Sequence, residues 1–155
     1  MRSSKPIMLV EDDAVDAMTV KRALSDLKII NPLVHKSNGE EALKHLMDAN
    51  NPRPCIILLD LNMPKMNGIE FLKHMKKQED LKKIPVVVLT TSRDEQDIIE
   101  SFQLNVAGYM VKAVDYKKFV ETIKAVDLYW TLSELPPNGH SKTSEQARLQ
   151  SCLTE

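Results

Sequence analysis

The sequence predicts an α/β chain: a doubly wound, five-stranded parallel sheet of (βα)5 order in three layers. Three observations carry this. Residues 56–59 (IILL) and 86–89 (VVVL) are apolar at every position, the mark of strands covered on both faces. Strand-like runs alternate with segments whose apolar residues recur at helical spacing, and the pair repeats five times. Acidic, hydroxyl and amine side chains stand just past the strand ends, where open α/β sheets bind their ligands.

The elements follow in order. Residues 6–10 form a short apolar run that stops at Glu11, Asp12 and Asp13. A helix is expected over 14–27, with Val15, Met18, Ala23, Leu24 and Leu27 as its apolar residues and acids near its start. Asn31-Pro32 breaks the chain before a half-polar strand at 33–36. Asn38-Gly39 turns it into a helix over 40–49, striped by Ala42, Leu43, Leu46 and Met47. The buried strand 56–59 ends at Asp60. Asn67-Gly68 opens a helix over 69–77 that faces inward with Phe71, Leu72 and Met75. The strand 86–89 ends in Thr90-Thr91-Ser92, and a helix over 94–104 carries Ile98, Ile99, Phe102 and Leu104. A last strand, 108–111, ends in Lys112, and a long amphipathic segment runs from 115 to about 135.

Residues 1–135 are expected to form one domain and 136–155 a mobile polar tail, because the composition past Pro136-Pro137 loses its apolar period. A chain of 155 residues with 43% hydrophobic content and a net charge of −1 has core enough for one domain and no basic footprint for nucleic acid. No run approaches the roughly 20 apolar residues of a membrane span, and the first residues lack the pattern of a signal peptide. Cys55 opens a buried strand and Cys152 lies in the tail, so no disulfide framework is expected and a reducing cytoplasm fits. The four histidines have no ligand-like spacing and are read as surface or structural.

The strand ends hold the chemistry. Carboxylates at Glu11, Asp12, Asp13 and Asp60 would repel one another in a shared pocket unless a divalent cation sat among them, and hard oxygen ligands suit Mg²⁺. An aspartate beside such an ion is placed to attack phosphorus and form an aspartyl phosphate. The ion, the Lys112 ammonium and the Thr90 hydroxyl could then share the three phosphoryl oxygens. Each feature alone has a plainer explanation: an acidic triplet as helix cap, Thr-Thr-Ser as a turn, a solvated lysine. All of them on one rim favours the site.

The stretches IMLVEDDAVDA, CIILLDLNMPKMNGIEFL, IPVVVLTTS and GYMVKAVD resemble the receiver domain of two-component response regulators over about residues 5–132. The ending VDLYWTLSELP is similar to that of single-domain receivers serving phytochrome-type histidine kinases. The resemblance implies a flavodoxin-like receiver topology, with Asp60 as phosphoacceptor. It implies that Asp12 ligates Mg²⁺ directly, Glu11 through water and Asn62 by its main-chain carbonyl. Thr90 and Tyr109 would be the switch pair and Lys112 the ion-pairing amine, while Asp13 is read as a helix cap. The family usually has proline after its lysine, joined by a cis peptide, whereas here Ala113 follows. A cis bond there would cost roughly 2.5–4 kcal/mol rather than about 0.5–1, so either a strained cis bond or a trans loop is expected.

A phosphoacceptor rather than a turnover enzyme is therefore expected, with a histidine kinase as partner and no nucleic acid or membrane. With no output domain in the sequence, signalling is expected through protein contacts, including a homodimer that uses Tyr129 and Trp130. A haloacid-dehalogenase-type phosphatase would need an acid two residues past the nucleophile, where this chain has Asn62. A flavodoxin would need a hydroxyl- and glycine-rich phosphate loop in place of EDDAVD. A pseudo-receiver without phosphorylation draws support only from Ala113.

Overall fold

The computed structural model describes residues 5–112 and 115–133, with side chains as far as residue 127. The tail 136–155, Ala113 with the peptide joining it to Lys112, and the side chains of Tyr129 and Trp130 lie outside the described residues. Five strands alternate with five helices: β1 (Ile7–Val10), α1 (Ala14–Asp26), β2 (Leu33–Lys36), α2 (Gly39–Met47), β3 (Ile56–Leu59), α3 (Gly68–Lys76), β4 (Val86–Thr90), α4 (Glu95–Gln103), β5 (Gly108–Val111) and α5 (Tyr116–Ser133). All strands are parallel, in the order β2-β1-β3-β4-β5.

The pleat explains why the central strands are apolar throughout. Ile7 and Leu9 of β1, with Ile56 and Leu58 of β3, face the layer of α1 and α5. Met8, Val10, Ile57 and Leu59 face the opposite layer, where Leu46, Phe71, Leu72 and Met75 cover them. Successive residues of a strand thus serve two cores. Phe71 and Met75 are fully buried, at the positions the helical spacing assigns inward.

Helix starts are capped as their residue types suggest. Asn67 and Glu70 form a reciprocal capping box at α3, and Asn38 and Asp94 cap α2 and α4. After α1 and α4 the chain turns through Lys28 and Asn105, both in the left-handed region at φ 59° and 60°. The N–H groups of Ile29 and Val106 then reach back to the carbonyls of Leu24 and Ser101.

Three inward assignments need correction. Val15 and Met18 of α1 are 70% and 68% exposed, and the helix is buried instead through Ala17, Val20, Ala23 and Leu24. The face angle decides this: at about 100° per residue, positions 15 and 18 lie opposite 17, 20 and 24. Met47, at the end of α2, is exposed, while Ala42 and Leu46 of the same helix are buried. On α4, Ile99 and Phe102 are 44% and 43% exposed, and only Ser101 is fully buried. Among the described residues no helix is long and apolar enough to cross a membrane.

Candidate functional site

The winding of the sheet reverses between β1 and β3, so the residues following these strands emerge side by side. The ladder extends one residue past each. The Glu11 N–H donates to the Lys36 carbonyl at 2.9 Å and the Asp60 N–H to the Val10 carbonyl at 3.0 Å. Across the sheet the Lys112 N–H donates to the Thr90 carbonyl at 2.7 Å. These bonds bring Glu11, Asp60, Thr90 and Lys112 to one rim.

The loop carrying Asp60 is pinned by two glycines. The Gly68 N–H donates to the Leu61 carbonyl at 3.0 Å, and the Gly39 N–H to the Met66 carbonyl at 3.2 Å. A Cβ on Gly68 would lie 2.6 Å from the Asp60 carbonyl oxygen and 2.7 Å from the Leu61 Cα, so only glycine allows this approach.

Glu11, Asp12 and Asp60 each offer a carboxylate oxygen within 4.8 Å of the others. Glu11 and Asp60 are buried, while Asp12 is exposed at the mouth. Asp13 is the N-cap of α1, accepting from the N–H groups of Val15 at 2.8 Å and Asp16 at 3.0 Å. Its own N–H donates to Glu11 Oε2 at 3.3 Å. The exposed Asn62 lends its backbone N–H to Asp60 Oδ1 at 3.4 Å.

Lys112 is the counter-charge. Its buried ammonium donates to Glu11 Oε1 and, at 2.9 Å, to Asp16 Oδ2, and stands 3.7 Å from Asp60 Oδ2. Burial alone would lower the lysine pKa, but the hydrogen bonds to Glu11 and Asp16 and the charge of Asp60 hold it above the ordinary value. Glu11 is pushed from 4.5 up to about 7, by burial first and by the neighbouring Asp60, with Lys112 opposing. Three carboxylates within this reach are hard oxygen donors at a spacing that suits a divalent cation.

Thr90 is fully buried, and its hydroxyl accepts the Ser92 N–H at 3.3 Å. Tyr109, half-buried against the core on the α2–α3 side of the sheet, donates its hydroxyl to the Ser92 carbonyl at 2.9 Å. Burial raises the Tyr109 pKa. The Ser92 hydroxyl in turn donates to Asp97 at 2.7 Å and accepts the Asp94 N–H at 3.2 Å. Ser92 therefore joins Thr90, Tyr109 and the start of α4 in one network.

Glu11, Asp12 and Asp60 come together at the carboxyl rim with Lys112 against two of them, and Thr90 ends β4 on that rim, linked to Tyr109 through Ser92. Three contributors escape the sequence reading. Ser92 is hidden in a plain turn signal, and Asp16 looks like a first-turn acid on a helix. His35 donates from Nε2 to the Glu11 carbonyl at 2.7 Å, and since a carbonyl only accepts, Nε2 carries the proton. The signal for Asp16 was its spacing of five from Glu11, one helical turn in from the rim.

Comparison with known proteins agrees with this geometry. The family pattern of the response regulator receiver domain matches residues 7–124. The response regulator Rcp1 of Synechocystis sp. is 40% identical over 130 residues, spanning 81% of this chain and 88% of that protein. The Mn²⁺-bound structure of Rcp1 superposes with a TM-score of 0.75, at 40% identity over 81% of this chain and 94% of the other. The phosphorylated cyanobacterial phytochrome response regulator RcpA gives a TM-score of 0.79 at 36% identity, over 88% of this chain and all of that one.

Proposed function

Because the chain belongs to the response regulator receiver domain family, we propose that it accepts a phosphoryl group from a histidine kinase onto Asp60 and signals by changing its protein contacts. One observation carries the assignment. Asp60 is a buried carboxylate that shares a cation-competent group with Glu11 and Asp12 and lies 3.7 Å from the Lys112 ammonium.

In the transfer, an Asp60 carboxylate oxygen attacks phosphorus. A P–O bond forms as the P–N bond to the donor imidazole breaks, and the electron pair stays on the imidazole nitrogen. Glu11, Asp12 and Asp60 would hold the cation, which we take to be Mg²⁺, with the Asn62 carbonyl as a further ligand; when bound, the ion offsets charge on the phosphoryl oxygens. Lys112 would add a second positive charge, its ammonium 3.7 Å from Asp60 Oδ2. Thr90 offers a hydroxyl on the same rim and reaches Tyr109 through Ser92, so a pull on Thr90 biases the aromatic ring. On this reading the chain is a phosphoacceptor that assists only its own phosphorylation and hydrolysis. The intact set of Asp60, Thr90 and Lys112 argues against a phosphorylation-incompetent binding module.

The relatedness to Rcp1 and RcpA supports a phytochrome-type kinase as donor, and a cytoplasmic location, without nucleic acid or membrane as partner, accords with that role. Self-association is the second part of the reading. The exposed Ile99 and Phe102 give α4 an apolar face beside β5, and Tyr129 and Trp130 of α5 would extend it into a two-fold contact. Sedimentation with and without phosphodonor should show a dimer that tightens on phosphorylation. A monomer in both states at high micromolar concentration would remove it.

Acetyl phosphate with Mg²⁺ should add one phosphoryl mass to the intact protein and none to Asp60→Asn. Incorporation by Asp60→Asn at the wild-type rate would overturn the assignment.

A further inference from the structure

Three carboxylates surround the Lys112 ammonium, and they are not equivalent. Glu11 and Asp60 belong to the cation-competent group, and Asp16 does not. A dication entering that group draws the Glu11 and Asp60 oxygens toward itself and repels the ammonium. Lys112 then needs an anionic contact that the cation does not claim, or its long side chain is released toward solvent.

Asp16 is built for that contact. It is the third residue of α1, its backbone N–H is held by the Asp13 cap at 3.0 Å, and the next residue, Ala17, is buried against the core. A carboxylate in the first turn is also favoured by the unpaired N–H groups of the helix start. Its Oδ2 receives the Lys112 ammonium at 2.9 Å, and its side chain stands 40% exposed at the mouth while that of Lys112 is 9% exposed. The lysine is thus held, outside the cation-competent group, by a carboxylate carried on the capped first turn of α1.

We propose that Asp16 is a positioning residue: it keeps the Lys112 ammonium beside Asp60 when the cation site is filled, so that the amine is already in place for the phosphoryl oxygens. This rests on Asp60 being the acceptor. The charge-assisted hydrogen bond from Lys112 to Asp16 replaces what Glu11 gives up.

The test uses the full chain with Asp16→Asn and Asp16→Glu. The first readout is the ε-methylene ¹³C–¹H resonance of Lys112 in unphosphorylated, Mg²⁺-saturated protein, which needs no phosphoryl transfer. It should shift and broaden in Asp16→Asn and return toward the wild-type position in Asp16→Glu. The second is phosphorylation by phosphoramidate. The maximal rate should fall roughly two- to fivefold in Asp16→Asn, the scale of one part-exposed ionic contact, with the half-saturating donor and Mg²⁺ concentrations little changed. Asp16→Glu should recover most of that rate. An unmoved Lys112 resonance in Asp16→Asn, or a maximal rate equal to or above wild type, overturns the proposal. Phosphorylation of Asp60→Asn would instead sink the acceptor assignment, and the resonance would still judge Asp16.

Discussion

Replacing Glu11 with glutamine should stabilise the cation-free protein above neutral pH and remove part of its pH dependence. Glu11 is 1% exposed, and its carboxyl is raised from 4.5 to about 7 in the fold, chiefly by burial and then by Asp60. Between those values the folded protein binds more protons than the unfolded chain. Its stability therefore falls as pH rises through that window and has lost the whole contribution above it. A displacement of that size is worth on the order of 3 kcal/mol. Relaxation and water penetration around the ionised carboxylate leave about 1–2 kcal/mol to be measured. Urea unfolding in the presence of chelator at pH 5 and pH 8 reads it. Wild type should lose about 1–2 kcal/mol more than Glu11→Gln on going to pH 8, because the amide carries no charge. Adding Mg²⁺ at pH 8 should restore wild type and do little for the variant. Parallel pH profiles for the two proteins would refute the reasoning, since they would mean that Glu11 titrates in the fold as it does in water.

Gly68→Ala should destabilise by about 1–3 kcal/mol in thermal unfolding, because the new methyl meets the Asp60 carbonyl at 2.6 Å, where backbone cannot yield. It should also slow phosphorylation, since the displaced backbone carries Asp60, the proposed acceptor. Lys28→Gly should raise the unfolding free energy measured in urea by up to about 1 kcal/mol, relieving a left-handed residue at φ 59°. Thr90→Ala removes the hydroxyl that accepts the Ser92 N–H, so on phosphorylation the ring resonances of Tyr109 should move much less than in wild type. Equal movement would exclude Thr90 from the relay.

Much of this was legible in the residues alone. The fully apolar runs of β3 and β4 announce strands covered on both faces. The placing of Asp60 after one and Thr90 after the other put the chemistry on the carboxyl rim. The α1 register was not legible, because Val15 and Met18 stand at a helical interval from each other while lying on the face opposite the buried Ala17, Val20 and Leu24. Period says that a face exists but not which face the sheet takes. Asp16 and Ser92 were passed over for a related reason: an acid in a first turn and a serine in a turn satisfy local rules completely.

The sequence by itself therefore determined the element order and the strand-end inventory, since these follow from periodicity and from where each apolar run stops. Only the tertiary structure decided which carboxylates share the Lys112 ammonium, and that Thr90 meets Tyr109 through the backbone of Ser92. Those contacts join residues 101, 96 and 17 positions apart. They form because parallel strands in the order β2-β1-β3-β4-β5 carry distant segments to one rim, a closure that no local propensity encodes.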